Sequence, residues 1–530
     1  MSLIYNLYIK LNQNDSLTEH ELDSVMSDSS NKDYQLTSLI ACIILNDRTS
    51  QQELRFVQIA KRKLPEIEKY INSISLIKAG KKPTELNPFE STLLFNVYWK
   101  QELGNKAINE LIRNISFQDI NNNFLSLLLV FIKYFGLTSS DLVALTEAMA
   151  KSGKIYDYRN NKLLDYRKVI RRYPTGALSE KVALIMPSLL MAFSRHLPIC
   201  SPFLVAKSLS YTGGTWDKLK SIDGFRFPSQ GEETVEVLKA CKVSMSVTED
   251  DFNPADRFLY QFRSITNTVE SFDLIISSIA SKQIGIPADS LLLDIRFGPG
   301  AFLTSEIASD EIGHGISSIL NNSNIKTKSI KTFARQPNGS CIGNYWEVLE
   351  ALALMNNSNR ILGYSFDKRA IKEQYDLVIR LTVELILLEF PNLNIESLTE
   401  NAIEFFRNGT VLNCFLKLLL AHHVDKKIVE NIRQNRSWLT VPLIEHDIMA
   451  SSSGVLNDIK QKQIGSFVNF GLGGGSNQLT GETNYYSGMI LSKRLNDEVN
   501  KGEILAKVFS TNSIPKDQLE DKKYFNIQAA

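Results

Sequence analysis

"VIRRYPTGALSEKVALIMPSLL", residues 169–190, decides how this chain is read. A short apolar run leads into Arg171 and Arg172, a turn carries Thr175 and Gly176, and a helix-like segment follows. That order describes a loop cradling an anion at a helix N-terminus, where free backbone N–H groups and the helix dipole favour negative charge. Yet Pro174 has no N–H to donate, and Ala177 and Ser179 stand where such a cradle favours glycine. The stretch is a phosphate loop, a rebuilt one or a dead one. The plainer alternative is a solvated arginine pair flanking a strand.

The totals set bounds around it. A chain of 530 residues can bury several cores, which suggests about two to four domains. A net charge of +1 with 22% charged residues gives no general pull toward nucleic acid or anionic membrane, so neither is expected as a partner. Cys42, Cys200, Cys241, Cys341 and Cys414 are scattered with no CxxC pair, and the six histidines are dispersed, so no metal site is expected. The N-terminal "MSLIYNLYIKLNQND" turns polar too early for a signal peptide. "FLSLLLVFIKYFGL" (124–137) is shorter than the roughly 20 residues of a membrane span and reads as a buried helix. A soluble, cytoplasmic protein is expected.

Periodicity divides the chain. Residues 1 to about 75 are helical in pattern, with Ser16 and Glu19 in "SLTEHEL" matching a capping box. "LIACIILNDRTSQQELRFVQIA" (39–60) is echoed by "LLLVFIKYFGLTSSDLVALTEAM" (127–149), each a buried helix, a turn opening on Ser or Thr, and an amphipathic helix. Between them "KAGKKPTELNPFE" (78–90) has the composition of a linker. From about 169, apolar runs alternate with helices, which implies a largely parallel sheet. "LPICSPFLVAKSL" (197–209), "SLLLDIRFG" (290–298) and "SIKTFARQ" (329–336) are the strand candidates. "TVESFDLIISSIASKQ" (268–283) and "NYWEVLEALALM" (344–355) are the helices. After about 435 the chain reads as a small strand-rich module. The expected fold is α/β with an all-helical domain. Its divisions are a helical extension at 1–77, a helical domain at 78–165, an α/β domain at 166–434 that includes part of the helical lobe, and an α+β domain at 435–530.

Four further segments could carry chemistry. "SLSYTGGTWDKLKSIDGF" (208–225) puts Gly213 and Gly214 between Thr212 and Thr215, which allows close backbone approach to a ligand; alone it is an ordinary tight turn. In 253–283, Ser278 and Lys282 are four apart on one helix face, with Arg263 upstream. Together they would offer donors to a carbonyl-rich planar group, and otherwise they are a solvated face with an unrelated arginine. "LLLDIRFGPGAFLTSE" (291–306) ends a strand in a Gly-Pro-Gly turn, a lid or a plain connection. "GLGGGSNQ" (471–478) lacks the strand-to-helix setting of a dinucleotide loop and reads as a flexible turn.

Taken in order, these segments resemble the thymidine phosphorylase and pyrimidine-nucleoside phosphorylase family of glycosyltransferases. The matching stretches are "RYPTGA", "YTGGTWDKL", "PADRFLYQFRSITNTVESFDLIISSIASK", "DIRFGPGAF" and "YYSGMILSKRLNDEVNKGEILAKVFS". The resemblance runs from about 125 to 512 and implies an all-helical domain hinged against a mixed α/β domain, with a third small α+β domain. It also implies a homodimer, no cofactor, and phosphate as co-substrate.

The resemblance assigns Arg263, Ser278 and Lys282 to gripping the pyrimidine edge, as the catalytic group. It assigns Tyr260, Leu209, Ile275, Ile279 and Phe302, with Asp256 and Tyr173, to the base and sugar pocket. On the phosphate side the match is degenerate. The family lysine aligns with Arg172, its histidine with Tyr173 and its first phosphate-binding serine with Pro174; a later phosphate-contacting serine aligns with Val205. Arg172, Thr175, Gly176, Lys207 and Thr215 remain as the candidate phosphate contacts. The implied reaction is phosphorolysis of thymidine- or uridine-type nucleosides to base and pentose 1-phosphate. The alternatives are a pentosyltransferase with another acceptor and a non-catalytic nucleoside-binding homologue.

Overall fold

Five short strands organise the α/β part of the chain: β1 (Lys168–Pro174), β2 (Ile199–Leu204), β3 (Val243–Ser246), β4 (Ser290–Phe297) and β5 (Lys326–Phe333). They pair in the order β3-β2-β1-β4-β5, and every pairing is parallel. The structure, a computed structural model, describes all residues except 1–2, 14, 16, 29–30, 47–49, 208–209, 440, 476–482 and 530, and the side chain of residue 52. Residues 1–156 and 250–286 form one compact unit; residues 157–249 and 287–530 form a second.

The first unit is helical among its described residues. A single core runs from Ile4 through Val130 to Leu274, so the 1–77 extension and the helices after it share one interior. The helices Asp33–Leu45 and Asn122–Phe135 are joined by Ser126 Oγ donating to the Tyr34 carbonyl at 2.6 Å and Thr37 Oγ1 donating to Asn123 Oδ1 at 3.0 Å. The echo seen in the sequence has a structural counterpart. The amphipathic helices Gln51–Lys63 and Ser139–Lys151 are both N-capped by a hydroxyl, from Ser50 and Thr138, accepting the third amide of its helix. The capping box expected at Ser16 and Glu19 falls elsewhere. Ser16 lies outside the described residues, and the box forms from Thr18 and Glu21. The helices Pro254–Ile265 and Phe272–Gly285 return the chain to this unit after β3.

In the second unit, β1 is flanked by β2 and β4, so Val169 to Arg172 are buried, as parallel strands covered on both faces are. Arg171 and Arg172 are therefore core residues of the central strand, not a solvated pair. β3 was absent from the strand expectations because "VSMS" is half serine. It is buried nonetheless, since Ser244 and Ser246 hydroxyls satisfy each other at 2.9 Å and Thr234 Oγ1 donates to Ser246 at 2.9 Å.

The C-terminal part pairs Cys341–Ile342, Gly488–Leu491, Ile504–Ser510 and Ile444–Met449 in one antiparallel sheet. A second sheet places Gly454–Ile459 between Glu498–Val499 and Phe525–Gln528. The expected strand-rich module also contains helix: Gln461–Ser466 is helical and runs into a π-turn at Phe467–Gly471. No helix among the described residues is long and apolar enough to cross a membrane, and no cluster among them could hold a metal ion.

His422 ties the second unit's stability to pH. It is fully buried, stacks on Phe225 at 4.6 Å, meets the Arg226 carbonyl through Nδ1 at 2.8 Å, and accepts the Met245 N–H on Nε2 at 3.3 Å. Those partners require a neutral ring protonated on Nδ1. Burial pushes its pKa down to about 4, whereas the unfolded chain takes up the proton near 6.5. The unfolded state therefore binds more protons between these values, and stability rises with pH across that window and levels off above it. We expect a loss of about 3 kcal/mol between pH 7 and pH 4 from this residue. Urea unfolding of the wild type and His422→Gln at both pH values checks it, because the variant lacks this component.

Candidate functional site

The helical unit contributes one group of side chains. Asn253, at φ +47, caps the Pro254–Ile265 helix by accepting the Asp256 amide, while its Nδ2 donates to Ser281 Oγ at 2.9 Å on the Phe272–Gly285 helix. This ties the start of the first helix to the last turns of the second and puts Asp256 beside Lys282. Lys282 Nζ forms an ion pair with Asp256 Oδ2 and donates to Ser278 Oγ at 2.9 Å. Asp256 is buried, but the Lys282 side chain keeps 29% exposure. Ile275 and Ile279 share the helical face of Ser278 and Lys282 and are half-buried; Tyr260 is half exposed. The result is an apolar face with an ammonium and a hydroxyl at its edge, suited to a flat ring with carbonyl groups.

Arg263 stands apart from that face. It is buried, and its guanidinium donates to the carbonyls of Thr268 at 3.2 Å, Leu274 at 2.9 Å and Val269 at 2.6 Å. Burial pushes its pKa down to about 10. The structure thus uses Arg263 to hold the turn between the two helices, a role its spacing from Ser278 could not reveal.

The second unit contributes the loop after β1, and its geometry differs from an open anion cradle. Arg172 Nη2 donates to Glu180 Oε1 at 3.0 Å and to Asp294 Oδ2. Arg296 Nε donates to the same Asp294 oxygen at 2.8 Å, and its Nη2 lies 3.6 Å from Glu180. Thr332 Oγ1 donates to Asp294 Oδ1 at 2.9 Å. Asp294 and Arg296 lie two apart on β4, hence on one face, and β4 pairs with β1 in register at Pro174 and Asp294. Burial alone would raise the carboxyl pKa values of Asp294 and Glu180. The adjacent Arg172 and Arg296 guanidiniums outweigh it and hold both below the usual range.

Glu180, one residue before the N-cap Lys181 of the Val182–Phe193 helix, accepts the Val182 N–H on Oε1 at 3.0 Å. A carboxylate of the chain itself therefore stands at the helix N-terminus. The rest of the loop is engaged likewise. Thr175 N–H donates to the Asp294 carbonyl at 3.0 Å, its hydroxyl accepts the Arg296 N–H at 2.8 Å, and Leu178 N–H donates to the Gly300 carbonyl at 2.8 Å. Gly176 sits at φ +95, where a side chain would be strained, and Ala177 bridges Ala301. Fully buried Ser179 donates to the Cys341 carbonyl at 2.7 Å. Lys218 Nζ donates to the Glu180 carbonyl at 2.7 Å and pairs with Glu347 at 2.7 Å.

Of the other expected contacts, Lys207 is exposed and lies 4.7 Å over the Trp216 ring, and Thr215 opens the Thr215–Lys220 helix, partly exposed. Tyr173 is half-buried at the end of β1. Phe302 is 40% exposed, with its ring 5.3 Å from Tyr211. Leu209 lies outside the described residues. The Gly-Pro-Gly turn is locked in place: a Cβ on Gly300 would lie 2.0 Å from Gln461 Oε1, and Gln461 Nε2 donates to the Ala334 carbonyl at 3.0 Å. Sequence reasoning assigned no role to Glu180, Asp294, Arg296 or Lys218. Charges inside an otherwise apolar parallel strand were the available signal, because such charges require partners.

Residues 202–412 match the glycosyl transferase family, a/b domain, and residues 455–529 match the pyrimidine nucleoside phosphorylase C-terminal domain. The chain belongs to the pyrimidine-nucleoside phosphorylase family. Members are enzymes of the glycosyltransferase class, and this chain is one. The pyrimidine-nucleoside phosphorylase of Bacillus subtilis (strain 168) is 28% identical over 430 residues, 81% of this chain and 94% of the relative. That of Staphylococcus haemolyticus (strain JCSC1435) is 28% identical over 410 residues, 77% of this chain and 89% of the relative. Among solved structures, the anthranilate phosphoribosyltransferase of Thermus thermophilus aligns at a TM-score of 0.45 and 12% identity, covering 62% of this chain and 99% of that one.

Proposed function

We propose that this protein is a pyrimidine-nucleoside phosphorylase, transferring the pentosyl group of thymidine- or uridine-type nucleosides to inorganic phosphate. A phosphate oxygen bonds to C1′ as the C1′–N bond breaks, and the bonding pair leaves with the base. The base takes up the proton that hydrogen phosphate gives up, so the products are free base and pentose 1-phosphate. Lys282 and Ser278 stabilise the negative charge that spreads onto the pyrimidine carbonyls, charge greater in the transition state than in the bound substrate. Arg263 acts as a positioning residue through the turn it holds. The observation carrying this reading is the hydrogen bond from partly exposed Lys282 to buried Ser278 on the apolar face of Ile275 and Ile279.

The test is base release from thymidine, uridine, deoxyuridine and cytidine, with and without phosphate. The expected result is saturable, phosphate-dependent release from at least one of them. Release indifferent to phosphate, or none at all, contradicts the reading. The same proposal makes the enzyme a cytoplasmic homodimer. Light scattering coupled to size exclusion should then give twice the 59.8 kDa chain mass.

A further inference from the structure

We infer that Glu180 is a resident anion that competes with inorganic phosphate for the loop after β1, so that it sets the enzyme's phosphate requirement. This rests on the proposed reaction for its consequence in turnover, but not for its consequence in binding.

The charges of the cluster close without any ligand. Arg172 and Arg296 face Asp294 and Glu180, two cations against two anions. The neighbouring cations have separate carboxylates: Lys218 pairs with Glu347 at 2.7 Å, and Lys181 with Glu350 at 3.0 Å. An incoming phosphate therefore meets a neutral cluster whose helix N-terminus already holds a carboxylate. The members are not equally fixed. Arg172, Arg296 and Asp294 side chains keep 0–2% exposure, whereas Glu180 keeps 8% and is the member nearest solvent. Asp294 is further held by Thr332, and Glu180 has no hydroxyl partner of that kind among the described residues. Spare donor capacity remains as well, because the buried Nε of Arg172 meets no hydrogen-bond acceptor among the described residues.

Glu180 is thus the anion that can be exchanged. Removing its charge leaves two guanidiniums and a helix N-terminus facing Asp294 alone, a net positive site of the kind that takes an oxyanion. Glu180 is in this sense a specificity-determining residue, acting by occupation.

The test is phosphate binding to the full-length protein by calorimetry, for the wild type and Glu180→Gln, with phosphate KM measured in parallel. Glu180→Gln is expected to bind phosphate about tenfold tighter or more, and phosphate KM to fall by a similar factor with nucleoside KM unchanged. Equal or weaker phosphate binding by the variant overturns the inference. Should Glu180→Gln fail to fold, Glu180→Asp keeps the charge but withdraws it by one methylene. It is then expected to bind phosphate measurably tighter than wild type, and no change overturns the inference. Tighter phosphate binding with no base release in any form supports the inference and sinks the proposed reaction. Base release with an unchanged phosphate KM in a folded Glu180→Gln does the reverse.

Discussion

Replacing Arg172 by methionine should lower the unfolding free energy by about 3–5 kcal/mol, among the largest single-residue losses in this chain. Methionine keeps much of the aliphatic stem, so the loss is chiefly electrostatic. Of the two guanidiniums only Arg296 would then remain for Glu180 and Asp294, with Asp294 fully buried and Glu180 nearly so. Breaking a buried pair from one side costs far more than the pair contributes in balance, because an uncompensated charge is left behind. The double variant Arg172→Met, Glu180→Gln restores neutrality and should recover a substantial part of the loss, a coupling that denaturant unfolding of all four forms measures. A loss below about 1 kcal/mol for the single variant would mean that the cluster is solvated and the loop open, contrary to the geometry described.

The second large effect is on turnover. Lys282→Met should reduce kcat/KM for nucleoside by about 100-fold or more, the scale for removing one donor to a developing anion. Its ammonium bonds Ser278 and pairs with Asp256 while keeping partial exposure, and none of its contacts involves the Arg172–Glu180 loop among the described residues. Phosphate binding should be unchanged. Arg263→Lys should instead reduce thermal stability, because one ammonium cannot serve three carbonyls spread over Thr268, Val269 and Leu274. A kcat/KM for Lys282→Met within a few-fold of wild type would remove it from the chemistry.

Much of the fold could be read directly. β2, β4 and β5 announce themselves as apolar or β-branched runs between helical segments, and the sheet is parallel as that alternation requires. β3 could not be read, because its serines are silent until Thr234 and each other satisfy them in the interior. The Gln461–Gly471 stretch falls inside the module expected to be strand-rich, yet it forms a helical turn whose Gln461 packs against the Gly-Pro-Gly loop.

The candidate site divides the same way. Ser278 and Lys282 are four apart on one helix, so their meeting was legible from spacing alone. Asp256 joins them through the Asn253 contact between the two helices, a pairing that neither the spacing nor the resemblance had named. Arg172 looked like an anion ligand because its partners are distant in sequence: Asp294 and Arg296 reach it only through the pairing of β1 with β4. Glu180 is near in sequence. Its capture by Arg172, however, depends on how the loop folds back over the strand end.

The central claim is that the pentosyl group goes to phosphate, and following the phosphorus itself tests it most directly. The enzyme, a pyrimidine nucleoside that it turns over, and excess phosphate are followed by phosphorus NMR while base release is counted by chromatography. The account predicts a pentose 1-phosphate resonance growing in equal amount to the free base, and its disappearance in Lys282→Met. Base released with free pentose and no phosphate ester, or no base released at all, would contradict it.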